Sequence, residues 1–216
     1  MIGTARGVLT EPYCHLLAQN DTMTQAAEAM AILACQNRKC WTNWLARHHA
    51  GSPGVWLQIA KKDSGLVSIS HAEALEVALC QGWIDGQRKS LDAQYFLQKF
   101  TPRRARSIWS KINCEKALAL LAAGHMQAAG LAEIERAKAD GRWDAAYDGQ
   151  AKVTVPDDLA ALLARQPQAK AFFETLDSRN RYAILFRLQT AKKQETRERR
   201  LLQFAGMLSR GEKIYP

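Results

Sequence analysis

At 216 residues, 47% of them hydrophobic and 24% charged, the chain has the balance of a globular protein large enough to bury its own core, which excludes a disordered tail or a mini-domain dependent on disulfides or metals. No stretch approaches the roughly 18 apolar residues that a membrane-spanning helix needs. Lys and Arg number 30 against 21 Asp and Glu, a net charge of +9 that speaks to anionic partners and solubility rather than to fold.

The opening MIGTARGVLTEPYCHLLAQNDTMTQ is interrupted by Thr4, Thr10, Glu11 and Pro12, so it lacks the hydrophobic region of a secretory signal. Residues 1–25 read as a flexible extension and the expected location is cytoplasmic. Cys14, Cys35, Cys40, Cys80 and Cys114 form an odd set without a C-x-x-C, which predicts reduced thiols. Cys35 and Cys40 have no second Cys or His pair nearby, so no metal site is expected.

Met30, Leu33, Cys40, Trp41, Trp44 and Leu45 recur near helical spacing and predict a helix over 26–48, bent around Gln36 to Lys39. A turn over His48 to Gly54 follows. Val55, Leu57 and Ile59 then alternate with Trp56, Gln58 and Ala60, the period of a strand with one buried face. Ser70 stands three residues before Glu73, a capping box that opens a helix buried along Leu75, Ala78 and Leu79 and stopped by Gly82. WIDGQRKSLDAQYFLQKFTPRR predicts two strands, Trp83 to Lys89 and Gln94 to Phe100, with a bulge at Asp85-Gly86.

From Ser107 the pattern is helical, with segments ending at Gly124 and Gly141. After a polar connection, Pro156 with Asp157 and Asp158 behind it opens another helix, since proline suits the first turn and carboxylates favour the positive dipole end. Three more helices follow, marked by Phe172 and Phe173, by Tyr182 and Leu185, and by Leu201 and Leu208. The expected fold class is α+β: a small antiparallel sheet with packed helices over 26–145, then a C-terminal helical bundle over 146–216.

The ordered segments WTNWLARHHAGSPGVWLQIAKKDSG, EALEVALCQGWIDGQRK, FTPRRARSIWSKIN, VPDDLAALLARQPQAKAFFETL and AKKQETRERR resemble the bacterial YdeI/OmpD-associated family, also called the bacteriocin-protection family, over about Ala26 to Leu208. Gln194 stands where relatives often carry proline. The resemblance implies bacteriocin or antimicrobial-peptide protection, outer-membrane association and a periplasmic setting.

FTPRRARSIWSKIN concentrates the charge: Gln81 to Asn113 holds seven Lys and Arg against two acids. Arginine's fork suits phosphate or carboxylate, and hydroxyls near a helix start add donors for the same anion. Trp83, Asp85, Arg88, Arg103, Arg104, Ser107, Trp109 and Asn113 are therefore the candidate ligand-binding residues, with Trp83, Trp109 and Tyr95 available to stack on a planar ligand. The other reading of the same residues pairs Arg103 and Arg104 with Asp85 or Asp92 and buries Trp109. Asp85 within GWIDG is a candidate acid or base, or simply the residue of an Asp-Gly bulge. Adjacent His48 and His49 suit a helix end better than joint chelation.

In AKKQETRERR, Lys192, Lys193, Arg197, Arg199 and Arg200 form a basic face interleaved with Glu195 and Glu198. Walker, dinucleotide, G-x-S-x-G and H-E-x-x-H patterns are absent, so no cofactor and no catalytic residue is assigned. The leading expectation is a non-catalytic binding or stress-protection protein with an anion-accepting basic cleft for a small anion or polyanion. The alternatives are non-specific nucleic-acid binding through both basic faces and an enzyme using Asp85.

Overall fold

The computed structural model describes residues 30–216, so the 1–25 extension and residues 26–29 of the first expected helix lie outside the described residues. The chain forms two compact units that interleave in sequence rather than meeting at one linker: the described residues up to Ser107 with Ala117–Arg136, and Ile108–Lys116 with Ala137–Pro216.

The first unit contains β1 (Ile32–Ala34), α1 (Arg38–His48), β2 (Val55–Ala60), α2 (His71–Cys80), β3 (Trp83–Ser90) and β4 (Tyr95–Pro102), together with the end of α3 (Lys111–Ala122) and most of α4 (Ala128–Ala139). The strands form one sheet in the order β1-β2-β4-β3. β1 runs parallel to β2 and the other pairings are antiparallel, so the sheet is mixed rather than purely antiparallel. The expected helix over 26–48 is therefore corrected: its described part is a three-residue strand, a turn and a shorter helix. Asn37 has extended backbone (φ −155°) and its side chain accepts the Cys40 N–H at 3.0 Å, an N-cap that starts the helix there. Upstream, Leu33 faces the core at 1% exposure and the Trp56 N–H donates to Ala31 O, giving the backbone a ladder instead of helical bonds.

The same strand–turn–helix path overturns the expectation of reduced thiols throughout, because Cys35 and Cys40 are disulfide-bonded with their Cα atoms 5.6 Å apart. Cys80 and Cys114 are buried and not disulfide-bonded.

In β2 the expected alternation holds: Val55, Leu57 and Ile59 face the core. The capping box of α2 forms as expected, with the Glu73 N–H donating to Ser70 Oγ and Glu73 Oε2 accepting the Ser70 N–H. Gly82 follows in the left-handed region (φ +71°), and a Cβ there would lie 2.8 Å from Ala129 O, so both torsion and space require glycine. The hairpin register breaks between Asp85 and Arg88. The carbonyls of Gly86 and Gln87, displaced from the ladder by that bulge, accept hydrogen bonds from Nε2 of buried Gln98 at 2.9 and 3.3 Å. Trp41, Leu45, Leu57, Trp83 and Phe100 centre the core, each fully buried, and burial of side chains this size contributes about 1.5–3 kcal/mol apiece.

The second unit holds the start of α3, the end of α4, and α5 (Asp157–Ala164), α6 (Pro167–Thr175), α7 (Ser178–Gln189) and α8 (Gln194–Ser209). Pro156 sits at the N-cap of α5, one position earlier than the first turn, with Asp157 and Asp158 inside that turn. Leu159, Phe173, Ile184, Leu188, Phe204 and Leu208 form its core. Arg197 of α8 grips Asp158 of α5 through two hydrogen bonds of 2.6 and 2.9 Å, and its third nitrogen donates to Leu188 O at 2.8 Å. No helix of the described residues is long and apolar enough to cross a membrane.

Candidate functional site

The eight residues singled out in the basic segment are divided between the two units: Trp83, Asp85, Arg88, Arg103, Arg104 and Ser107 belong to the first, Trp109 and Asn113 to the second. Trp83 is 1% exposed, donates its indole N–H to His49 O at 3.1 Å and packs edge-on against Trp41 and Trp44. Trp109 is 2% exposed with its ring 4.8 Å from that of Trp143. Both indoles are core, with no face left to stack on a ligand. Arg88 lies over Phe96, 3.6 Å from the ring centroid, and Arg103 is buried with its backbone N–H on Gly82 O. Arg104 and Ser107 close a turn on each other, and Asn113 donates its backbone N–H to Ser110 Oγ at the start of α3.

The alternative pairing also takes a different form. Asp85 Oδ2 lies 3.0 Å from Nε2 of His71, and the Asp92 carboxylate caps its own turn by accepting the Gln94 and Tyr95 N–H groups at 2.7 Å. His49 Nδ1 reaches Leu45 O at 3.0 Å, the helix-end role expected of this pair, while the His48 ring packs on Trp44. Among the described residues, no group of three or more His, Cys, Asp and Glu is placed to hold a metal ion.

The arrangement with the clearest chemistry lies in the second unit. Asp177 caps α7 by accepting the Asn180 N–H at 2.7 Å. That places Asn180, 1% exposed, to clamp the segment after α8: its Oδ1 accepts the Tyr215 N–H at 2.9 Å and its Nδ2 donates to Tyr215 O at 3.2 Å. The Tyr215 ring is thereby held 4.3 Å from the Arg179 guanidinium carbon and 5.8 Å from that of Arg187. Residues 179, 182, 183, 186 and 187 follow the three-and-four spacing of one helix face, so α7 presents Arg179, Tyr182, Phe186 and Arg187 together.

These side chains and Gln150 line a cavity of about 420 Å³. The Tyr182 hydroxyl donates to Asp148 O at 3.2 Å. Burial, with Tyr147 and the Asp148 carboxylate nearby, raises the Tyr182 pKa above its ordinary value, so it stays a neutral donor. The Phe186 ring meets Tyr182 at 5.8 Å and Tyr147 at 4.9 Å. No acidic side chain lines the cavity. Arg187 spends one nitrogen on Ala183 O, and neither Arg187 nor Arg179 is paired with a carboxylate among the described residues. Two guanidinium groups beside aromatic rings suit a flat anion, taken by forked hydrogen bonds and by stacking.

In the sequence Tyr182 served only to mark a helix. The spacing of Arg179, Tyr182, Phe186 and Arg187 was visible in the sequence; the clamp that brings in Tyr215 was not.

Fold and cavity define an α+β chain whose helical unit carries a small-molecule-sized pocket. Residues 152–211, which supply five of that pocket's seven lining residues, match the family described as bacteriocin-protection, YdeI or OmpD-associated. That is the family the sequence resembles, matched over the C-terminal part; residues 33–133 match a domain of unknown function, DUF8412. No curated protein and no solved structure matches the chain.

Proposed function

We propose that the protein is a non-catalytic binding protein that takes up an anionic small molecule between Arg179, Arg187 and Tyr215, and that its contribution to protection is sequestration rather than turnover. The observation that carries this reading is a cavity of about 420 Å³ whose only charged lining groups are two arginines without carboxylate partners among the described residues. The anion-accepting site anticipated around Arg103 and Arg104 is thereby moved to the helical unit. A charge-assisted hydrogen bond contributes about 1.5–3 kcal/mol, so each arginine is worth about ten- to a hundredfold in affinity.

The test is a titration of the full chain with benzoate and with inorganic phosphate, followed through the side-chain Nε–H resonances of all arginines. Saturable shifts are expected at Arg179 and Arg187, weakening as salt rises. Arg179→Ala with Arg187→Ala should remove them while far-ultraviolet circular dichroism is unchanged. Shifts confined to arginines elsewhere would refute the site. A complex with single-stranded nucleic acid that survives loss of both arginines would favour the polyanion reading instead.

A further inference from the structure

We infer that the first unit carries a second binding site, independent of the anion site: a pocket at the end of α2 for a neutral small molecule that presents a carboxamide-type edge. A cavity of about 610 Å³, within the range of small-molecule sites, opens beside α1 and the turn between α3 and α4. Val77, Cys80 and Leu120 give it an apolar floor, and Thr42, Gln81 and His125 supply polar groups.

Gln81 is the telling residue. It caps α2, and its backbone N–H is satisfied by Ala78 O at 3.0 Å. Its side chain is different: the residue is only 9% exposed, it lines the cavity, and its amide has no hydrogen-bond partner among the described residues. Polar side chains of residues this buried usually bond within the protein, whereas this amide is left turned to the cavity, where a ligand can pair with it. A ligand that brings a donor and an acceptor side by side completes both halves of that amide.

The charge of the surroundings selects a neutral molecule. Arg38 and Glu76, the charged residues of the lining, neutralise each other in a 2.5 Å ion pair. Burial also raises the Cys80 pKa above its ordinary value, which keeps the thiol protonated and excludes it as a ready nucleophile. The walls are fixed before any ligand arrives: the Gln127 N–H donates to Cys80 O at 3.1 Å, tying the start of α4 to the end of α2, and the His125 N–H donates to Leu120 O at 3.0 Å. An amide-edged molecule meets a formed socket rather than a groove that must close.

The probe is benzamide, with benzoate and N,N-dimethylbenzamide as isosteric controls: one adds charge, the other removes both donors. Calorimetry on the full chain should show saturable benzamide binding, with both controls at least tenfold weaker. Gln81→Leu should abolish the preference for benzamide over its dimethyl analogue. Thr42→Trp, placed on the exposed side of α1, blocks the mouth and serves as a second variant if Gln81→Leu folds poorly; it should abolish binding. Absence of saturable benzamide binding, benzoate binding as tight as benzamide, or an undiminished preference in Gln81→Leu would each overturn the inference. Arg179→Ala with Arg187→Ala leaves this binding untouched, so it stands or falls separately from the anion site.

Discussion

Asn180→Ala tests the step on which the anion site depends, the docking of Tyr215. The substitution removes the Tyr215 N–H bond at 2.9 Å and the bond to Tyr215 O at 3.2 Å. It spares the cap of α7, because the Asp177 carboxylate accepts from the Asn180 backbone, which alanine keeps. Each lost hydrogen bond is worth about 0.5–1.5 kcal/mol net, so the clamp contributes about 1–3 kcal/mol. Converted at about 1.4 kcal/mol per decade, that predicts an exchange rate for the Tyr215 amide raised about five- to hundredfold. The loss of global stability is bounded by the docking free energy of the segment, since α5 to α8 remain packed once it has detached. Hydrogen exchange resolved by residue measures the effect, and benzoate titration should show a parallel loss of affinity. Tyr215→Ala is the control: it removes the ring but keeps both backbone bonds, so affinity falls while amide protection at 215 persists. Unchanged exchange at Tyr215 in Asn180→Ala would refute the clamp, and unchanged benzoate affinity would show that the ring has no part in the site.

Three further outcomes follow from the structure. Gly130→Ala should destabilise the first unit by about 1–2 kcal/mol despite alanine's better helix propensity, because a Cβ there would lie 2.5 Å from Met126 Sδ and 2.7 Å from Leu79 O; Gly206→Ala, where the nearest atom is Arg210 Nη1 at 3.5 Å, should stabilise by about 0.5–1 kcal/mol, and urea unfolding of the pair reads the contrast. The Arg197 guanidinium bonded to Asp158 holds that carboxyl below its ordinary 3.8, so the pair's contribution is present above that value and lost as pH falls through the lower folded one. With the Asp158 side chain 37% exposed, solvent screening reduces this to about 1 kcal/mol, and Asp158→Asn should lower stability at pH 7 by that amount while flattening the acid limb of a stability–pH curve below 3.8. Reduction of the Cys35–Cys40 bond, which closes a five-residue separation, should cost about 2 kcal/mol by the loop-entropy estimate, read as a lower urea midpoint in dithiothreitol; an unchanged midpoint would show that the bond constrains nothing.

What the sequence disclosed is what is encoded within a few residues. The Ser70–Glu73 box, the alternation of β2, the bulge at Asp85-Gly86 and the left-handed glycines at 82, 124 and 141 are local signals, and each appears in the structure where expected. β1 was missed because three residues carry no period of their own; Ile32 to Ala34 become a strand only by pairing with Trp56 to Gln58. His71 and Asp85, or Asn180 and Tyr215, meet across 14 and 35 residues of chain. Nothing in either segment taken alone announces its partner.

The basic segments show the same limit in electrostatic form. A count of cations ranks FTPRRARSIWSKIN and AKKQETRERR first, yet charge becomes available to a ligand only where no internal group has claimed it. Arg197 is consumed by Asp158 and Leu188 O, Arg200 donates to Arg187 O, and Arg88 lies over the Phe96 ring. Arg179 and Arg187, separated by two turns of an ordinary-looking helix, raise no local charge peak, but they face one cavity whose lining carries no carboxylate. Half-burial strengthens the pull of Arg187 on an anion, and the aromatic rings beside both arginines offer them no internal ion-pair partner. The place to look for an anion in this chain is therefore the pair of cations that the fold leaves unneutralised in a concave wall, rather than the longest basic run.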